Sequence, residues 1–228
     1  MYSKKKINKN SGFSLVELMV VIGIMAVISG VSIFNYGKFS STLVVTNLAY
    51  QAALAVREAQ VYGISVKQTG MGTSANFNSP YGVWFSTDDP SFHLFSDRGT
   101  LPNNQYSIDE NEETYVLGGG NKISYFCVTF SSGRYCSNGT HGLSAISIIF
   151  KRPEPNALIY GFTGSSASGY FGVDASNPTF SDAQVMFTSA KGDKISRINV
   201  TSTGQISVNS CNNDGAHDVH SCPTETNF

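Results

Sequence analysis

The sequence predicts an α+β fold: a long N-terminal α-helical stem, transmembrane in its first half and amphipathic in its second, packs on a mostly antiparallel β-sheet head. Three features carry this. Residues 13–34 are predominantly apolar, with Glu17 the only charge. Apolar residues then recur at three- and four-residue intervals as far as Tyr62. After residue 72 the pattern changes to short alternating runs separated by Gly, Asn, Ser and Pro. Composition agrees with a folded body, since 41% of the 228 residues are hydrophobic and 22 are glycine. The formal net charge of −1 hides an asymmetry, because Lys4, Lys5, Lys6 and Lys9 precede the apolar run with no acidic residue beside them. Without residues 1–12 the 15 basic side chains fall to 11 against 16 acidic ones, or −5. A mildly acidic body argues against generic nucleic-acid binding, which needs clustered Lys and Arg to neutralise phosphates.

The first element is the apolar run. Its 22 residues span about 33 Å as a helix, enough for a bilayer core. Lysines on its N-terminal side, with none after it until Lys38, orient the N-terminus to the cytoplasm and everything beyond about residue 36 outside. A secretory signal peptide and a plain anchor would both fit this much. Neither explains Glu17, since an ionised group inside a membrane helix costs up to about 3 kcal/mol on insertion scales and any aliphatic residue would insert better. A signal peptide also prefers a shorter apolar run followed by a small-x-small site.

The stretch "SGFSLVELMVVIGIMAV" resembles the class III signal of type IV prepilins and type II secretion pseudopilins: a short basic leader, Gly, Phe, three residues, Glu, then an apolar helix. The resemblance implies that residues 1–12 are a cleaved leader, with Gly12 its last residue. Phe13 would be the new N-terminus and the site of N-methylation, and Glu17 the assembly glutamate. The cut would be made by a prepilin peptidase/methyltransferase. The chemistry of the residues is consistent with this. Cleavage creates an α-ammonium on Phe13 at the end of an apolar helix, and Glu17 of a second subunit can pair with it. Breaking one partner of such a desolvated pair costs about 3 to 5 kcal/mol. Glycine at position 12 lets an extended backbone enter a protease cleft without side-chain hindrance.

Beyond the membrane half (residues 13–36) the helix continues as an amphipathic half (residues 37–69). Val45, Leu48, Ala52, Ala55, Val56, Ala59 and Tyr62 share one face, and Asn47, Gln51, Arg57 and Glu58 gather elsewhere. Its end falls near Ser65 to Thr69, with Gly70 and Gly72 as stop signals, and Gly30 and Gly37 mark places where it could bend. Residues 70–228 form the β-rich head. "YGVWFST" and "FHLFSD" flank the turn "DDPS" as a hairpin. "ISYFCVTF" puts Phe126, Val128 and Phe130 on one face, and "AISIIFK" does the same with Ile146, Ile148 and Phe150. "NALIYGF", "AQVMFTS" and a hairpin "SRINVTSTGQISVN" turning at Thr203-Gly204 follow. Strand after strand with short connections gives a mostly antiparallel sheet. The order of parts is similar to H-type pseudopilins and their minor-pilin relatives, which implies two sheets packed around the outer half of the helix.

Four cysteines fall as two local pairs, Cys127 with Cys136 and Cys211 with Cys222. In a body outside the cytoplasm they read as two short-loop disulfides, and in a reducing compartment as four thiols. Cys211, His217, His220 and Cys222 are also zinc-ligand types, but their C-x5-H-x2-H-x-C spacing fits no closed structural site. No metal or other cofactor is expected. His93, His141, His217 and His220 are scattered without a nucleophile beside them, and His93 reads as a strand residue. "GGGN" at 118–121 lacks the Lys-Ser/Thr of a phosphate loop and reads as a turn. "NNDGAHD" lacks the later glutamate of a calcium loop. In "GSSASGYFGVDASNPTFSD", Tyr170, Phe171 and Phe180 suit either exposed contacts or a satellite core.

The expectation is therefore not an enzyme. It is a pilin-like structural subunit, possibly a minor one, of a type IV pilus, with a pseudopilin of type II secretion as the alternative. Its partners would be other pilin subunits through their stems, the peptidase and an assembly platform. It would sit in the cytoplasmic membrane before assembly and in a surface filament afterwards. A membrane-anchored extracytoplasmic binding protein would share the head but keep residues 1–12. A DNA-uptake role would want a basic tip, and the tail "SCPTETNF" has no Lys or Arg.

Overall fold

The computed structural model describes residues 12–65, 67, 79–98, 103–130, 133–137, 142–163, 169–170 and 180–212, with only the backbone described at 34–41, 169–170 and 211–212. It is an α+β structure. The chain divides into two compact units, Met1–Ser40 and Ser41–Phe228, each taken by itself below. The helix α1 (Leu15–Ile64) ends just before Ser65, the first residue of the window in which the sequence places its end.

In the second unit, α1 buries Val45, Leu48, Ala49, Ala52, Ala55, Val56 and Ala59. This is the alternation of three- and four-residue steps expected of one helix face. Four of the seven are alanines, so the backbones opposite can approach closely. Among the described residues the strands are β1 (Tyr81–Ser86), β2 (Ser91–Ser96), β3 (Asn111–Val116), β4 (Lys122–Phe130), β5 (Gly133–Cys136), β6 (Leu143–Phe150), β7 (Ala157–Thr163), β8 (Gly169–Tyr170), β9 (Asp182–Thr188), β10 (Lys194–Thr201) and β11 (Ile206–Asn212). They form two antiparallel sheets. Sheet one has the order β3-β2-β1-β6-β7-β8, and sheet two the order β11-β10-β9-β4-β5.

One core joins the helix to both sheets. Val83, Phe85, Phe92, Ile146, Ile148 and Phe150 come from sheet one, and Phe126, Val128, Val185, Phe187, Ile198 and Val200 from sheet two. Each fully buried aliphatic or aromatic side chain stabilises the fold by about 1.5–3 kcal/mol, so these positions dominate the energetics. The hairpin pairs β1 with β2, from Tyr81 opposite Ser96 to Phe85 opposite Phe92. Phe180 is buried and meets Phe130 edge-on, so this aromatic joins the core; Phe171 and the side chain of Tyr170 lie outside the described residues. "GGGN" is a turn, with Gly119 and Gly120 at φ 71° and 78°. β3, β5 and β8 have no counterpart in the sequence reading, which reads residues 164–182 as a loop. All three are sheet-edge strands, and β3 ("NEETYV") leaves Glu112, Glu113, Thr114 and Val116 exposed, so no apolar alternation marks it.

Close approach fixes two glycines. A Cβ at Gly63 would stand 2.5 Å from the Phe150 carbonyl oxygen. Gly204, at φ 83°, would put one 2.4 Å from Pro155 O and 2.6 Å from Gln60 Nε2. Gln60 is buried and donates to both Pro155 O (3.0 Å) and Gly204 O (3.3 Å), and Arg57 donates to Gln60 Oε1 at 2.5 Å. The turn between β10 and β11 is thus clamped to the helix.

Sheet one carries a second layer on its outer face, where Trp84, Phe95, Ala145, Ile149, Tyr160 and Phe162 cluster. Residues 103–110 lie over part of it. Tyr106 stacks on His93 at 4.5 Å, and Ser147 Oγ donates to Asn104 O at 2.6 Å. Asp97 accepts from the Asn103 and Asn104 N–H groups at 3.3 and 2.7 Å. Glu110, only 6% exposed, accepts from Arg98 N–H at 3.0 Å through Oε1, while its Oε2 is buried without a partner. Burial pushes the Glu110 carboxyl above the usual range; the Arg98 N–H pulls back, and Asp97 and Asp109 push further up.

Gly204→Ala is expected to lower unfolding stability by at least about 2 kcal/mol, since overpacking and a left-handed φ act together. Gly118→Ala, where a Cβ meets nothing within 4 Å, should change it by less than about 0.5 kcal/mol. Urea unfolding of the detergent-solubilised chain measures both. Because the folded Glu110 carboxyl has a raised pKa, its contribution is fully present below the ordinary carboxylate range and is lost as pH rises through the raised folded value. Glu110→Gln should therefore be more stable than wild type at neutral pH, and the difference should vanish on acidification. Unfolding curves at pH 7 and pH 4 check the sign.

Candidate functional site

The first unit presents a helix that is apolar on every side. Leu15–Ile33 is long and apolar enough to cross a membrane, and none of it is buried. At 1.5 Å per residue these 19 residues span about 28 Å. Phe13 is 83% exposed, and Leu15, Met19, Ile22, Met25, Val27, Ile28, Val31 and Ile33 are all exposed. A helix hydrophobic all round has to be buried in lipid or among other helices. Ser32 Oγ donates to Ile28 O at 2.9 Å, which hides a polar group against the backbone, as suits an apolar setting.

Gly12, Phe13 and Ser14 precede the helix, and Glu17 lies in its first turn. Ser14 holds the N-cap position: its Oγ accepts the Glu17 N–H at 3.4 Å, and its carbonyl accepts from Leu18 N at 3.2 Å. S-x-x-E here is a capping-box sequence, a local signal that the functional reading of Glu17 passed over. An acid in the first turn also suits the positive end of the helix, by about 0.3–1 kcal/mol. That is less than the cost of a carboxylate at the centre of a bilayer, and Glu17 is placed where the cost is lower, near the end of the span. Among the described residues no ion pair involves Glu17. A Cβ on Gly12 would meet nothing within 4 Å, so glycine is not required there by packing.

The second unit adds an apolar stripe. Opposite its buried face, α1 exposes Leu43, Tyr50, Leu54 and Val61, spaced seven, four and seven residues apart, with Leu54 68% exposed. That is the seam spacing of helices that pack on helices. Arg57 and Glu58, the charged candidates on this helix, serve the head. Arg57 steers Gln60, and Glu58 Oε2 accepts from the Tyr115 hydroxyl at 3.4 Å. Glu58 also pushes the Tyr62 phenol up, chiefly by hydrogen bonding, and Lys67 sits 3.5 Å above the Tyr62 ring.

The remaining sequence candidates separate. Cys127 and Cys136 lie opposite each other in the β4/β5 pair and form a disulfide, with S–S 2.04 Å. Cys211 is in β11 opposite Ile195, its side chain not among the described ones, and Cys222 lies outside the described residues together with His141, His217 and His220. His93 is a buried strand residue. Its Nε2 bonds Asp89 Oδ2 at 2.9 Å and its Nδ1 bonds Thr114 Oγ1 at 3.1 Å, tying the hairpin turn to the edge strand. Burial raises the Asp89 carboxyl, but hydrogen bonds from Ser91 and His93 outweigh this and hold it below its usual value. Among the described residues, no three His, Cys, Asp or Glu side chains come together as a metal site.

Residues 7–33 match the prokaryotic N-terminal methylation motif. Together with the hydrophobic helix Leu15–Ile33, which lies within the matched residues, this fits a type IV pilin or pseudopilin. No curated protein and no solved structure matches the chain.

Glu17→Leu is expected to leave membrane retention at or above the wild-type level, because it removes the one charge in the span. Carbonate extraction of membranes measures this, and release of the variant into the soluble fraction would show that Glu17 contributes to anchoring itself.

Proposed function

We propose that this chain is a structural subunit of a type IV pilus, matured by cleavage between Gly12 and Phe13 and N-methylated on Phe13. It is drawn into a filament through α1. The observation that carries this reading is the fully exposed apolar helix headed by Gly-Phe-x3-Glu, within the residues that match the methylation motif. A helix with no apolar partner of its own gains by packing against copies of itself. In lipid, Glu17 and a new α-ammonium on Phe13 are each better satisfied together than apart. The exposed stripe Leu43, Tyr50, Leu54 and Val61 supplies a further helix-packing surface outside the membrane half.

The reading places the uncut chain in the cytoplasmic membrane with the leader, residues 1–12, on the cytoplasmic side and the head outside. Its partners are other subunits, a prepilin peptidase/methyltransferase and an assembly platform. Cys127–Cys136 suits an oxidising compartment. The pseudopilin reading shares every one of these residues and differs only in where the filament ends up.

With the peptidase co-expressed, the mature protein should begin at methylated Phe13 by mass spectrometry, and Gly12→Arg should retain Met1–Gly12. Glu17→Leu should mature normally yet be depleted at least about tenfold from sheared filaments, as expected for loss of a desolvated charge pair. A mature protein that still carries residues 1–12 would instead support a membrane-anchored binding protein. Detection of the chain in surface filaments separates the pilus from a periplasmic pseudopilus.

A further inference from the structure

Just past the end of the stem a cation lies between two aromatic rings. Lys67 stands three residues beyond Ile64, the last residue of α1. Its Nζ is over the Tyr62 ring, 3.5 Å from the centroid, and over the Tyr81 ring at 5.0 Å. The two rings meet edge-on, 5.4 Å apart and inclined at 63°, and so form two walls. Glu112 closes a third side, with Oε2 3.6 Å from the ammonium. The walls therefore come from three elements: α1, the first residue of β1, and the edge strand β3.

Regular strand pairing does not put Glu112 there. Leu94 stands opposite Glu113 and Phe95 opposite Asn111, which leaves Glu112 as the extra residue of a β-bulge. A bulge re-aims a side chain out of the alternation of its strand. Arg98 and Ser96 Oγ donate to Oε1 of this carboxylate at 2.5 and 2.7 Å, and Oε2 is the oxygen turned to Lys67. Tyr62 hydrogen-bonds Glu58 and lies in the field of Glu112 and Glu113, so a positive charge is favoured over its ring. Tyr81 is fully buried, yet its hydroxyl is among the buried polar atoms without a hydrogen-bond partner. Others of these form a row across β9 and β10: Thr188 Oγ1, Arg197 Nε and Asn199 Oδ1. What Tyr81 offers Lys67 is thus its ring face and not its hydroxyl.

An isolated ion pair at a protein surface holds a lysine only weakly. Two ring faces and a carboxylate aimed by a bulge make a different environment, one that recognises an ammonium. One carboxylate oxygen and two rings do not suit a hard metal cation, which takes six or more oxygen ligands in the case of calcium. We propose that Tyr62, Tyr81 and Glu112 form a binding site for a primary alkylammonium group, which Lys67 fills from within the chain. The self-filled site ties the chain to the edge of sheet one just beyond the stem. The Lys67 side chain keeps 32% of its surface exposed, so the occupant can leave and an ammonium group from solution can take its place. The site stands on contacts within the head and does not depend on how the chain assembles.

Two measurements on the full chain in detergent test this. Amine acetylation of the native protein, read by mass spectrometry, should modify Lys67 at least about fivefold more slowly than the exposed Lys151, and Tyr62→Leu should bring the two rates together. In Lys67→Ala the site is vacated, and n-propylammonium chloride replaces the part of the side chain that was removed. It should raise the urea midpoint of unfolding above the value in equal sodium chloride. Adding Tyr81→Phe should keep this response, and adding Tyr62→Leu should abolish it. Lys67 reacting as fast as Lys151 would overturn the proposal, as would a response of Lys67→Ala to n-propylammonium no larger than to sodium chloride or undiminished by Tyr62→Leu. Should Tyr62→Leu cost the head its fold, Glu112→Gln, which keeps an oxygen for Arg98, decides by itself: an unchanged Lys67 acetylation rate refutes the site.

Discussion

The head depends on one constraint: two sheets have to reach the same face of one helix. A face of Ala49, Ala52, Ala55 and Ala59 between Val45, Leu48 and Val56 makes this possible, because small side chains let backbone approach backbone. The closest approaches show how little slack remains. Phe150 O lies where a Cβ on Gly63 would stand, and Pro155 O and Gln60 Nε2 fill the space beside Gly204. Where the packing is this tight, polar contacts must be met inside it. Gln60 does so by donating to two carbonyls from different strand connections while accepting from Arg57. The same face therefore sets the core, the position of the β10/β11 turn and the role of a residue that would otherwise look like a surface glutamine.

Once that face is used, what α1 leaves exposed becomes informative. Leu43, Tyr50, Leu54 and Val61 lie outside the core although the helix has polar residues enough, such as Asn47 and Gln51, to cover a solvated side. A head stabilised by dozens of buried side chains does not need these four, and their exposure is costly in water unless another surface covers them. The apolar span Leu15–Ile33 states the same condition more strongly, since none of it is buried. Both surfaces have the character of helix-packing faces, which is what the proposed assembly through α1 requires.

Much of this was legible in sequence because it is periodic. The helical stripe named Val45, Leu48, Ala52, Ala55, Val56 and Ala59 and missed only Ala49 among the fully apolar positions, because a single small residue weakly marks a face. Strands with alternating large apolar residues, such as β4 and β6, were legible for the same reason. β3 was not: its contribution is main-chain pairing at a sheet edge, and its side chains hold charge-assisted contacts such as Glu112 with Arg98 at 2.5 Å and with Lys67 at 3.6 Å. The orphaned row of Thr188, Arg197 and Asn199 was equally invisible. Alternation places Arg197 and Asn199 on the outer face of "SRINVT", where a polar residue looks solvated, and only the burial of that face turns it into a question. At the N-terminus the methylation motif is legible as a motif, while the capping box inside it, Ser14 and Glu17, is the structural signal that the motif conceals.

That capping box bears on the proposed assembly step. In the uncut chain Glu17 sits at a helix end that favours an anion, and the Ser14 hydroxyl meets its N–H. Removing residues 1–12 would leave this cap in place and add an ammonium one residue ahead of it, at the end of the helix where a positive charge is least welcome. The two demands on Glu17 differ in size. Serving its own helix end contributes at most about 1 kcal/mol, whereas leaving a desolvated ammonium without a carboxylate costs about 3–5 kcal/mol. In the assembly proposed above, the demand of the ammonium would outweigh that of the helix end, and Glu17 would turn to the ammonium of a neighbour while Ser14 continued to hold the first turn. A position chosen only to cap the helix could be filled by Gln; one chosen to meet a buried ammonium requires the charge.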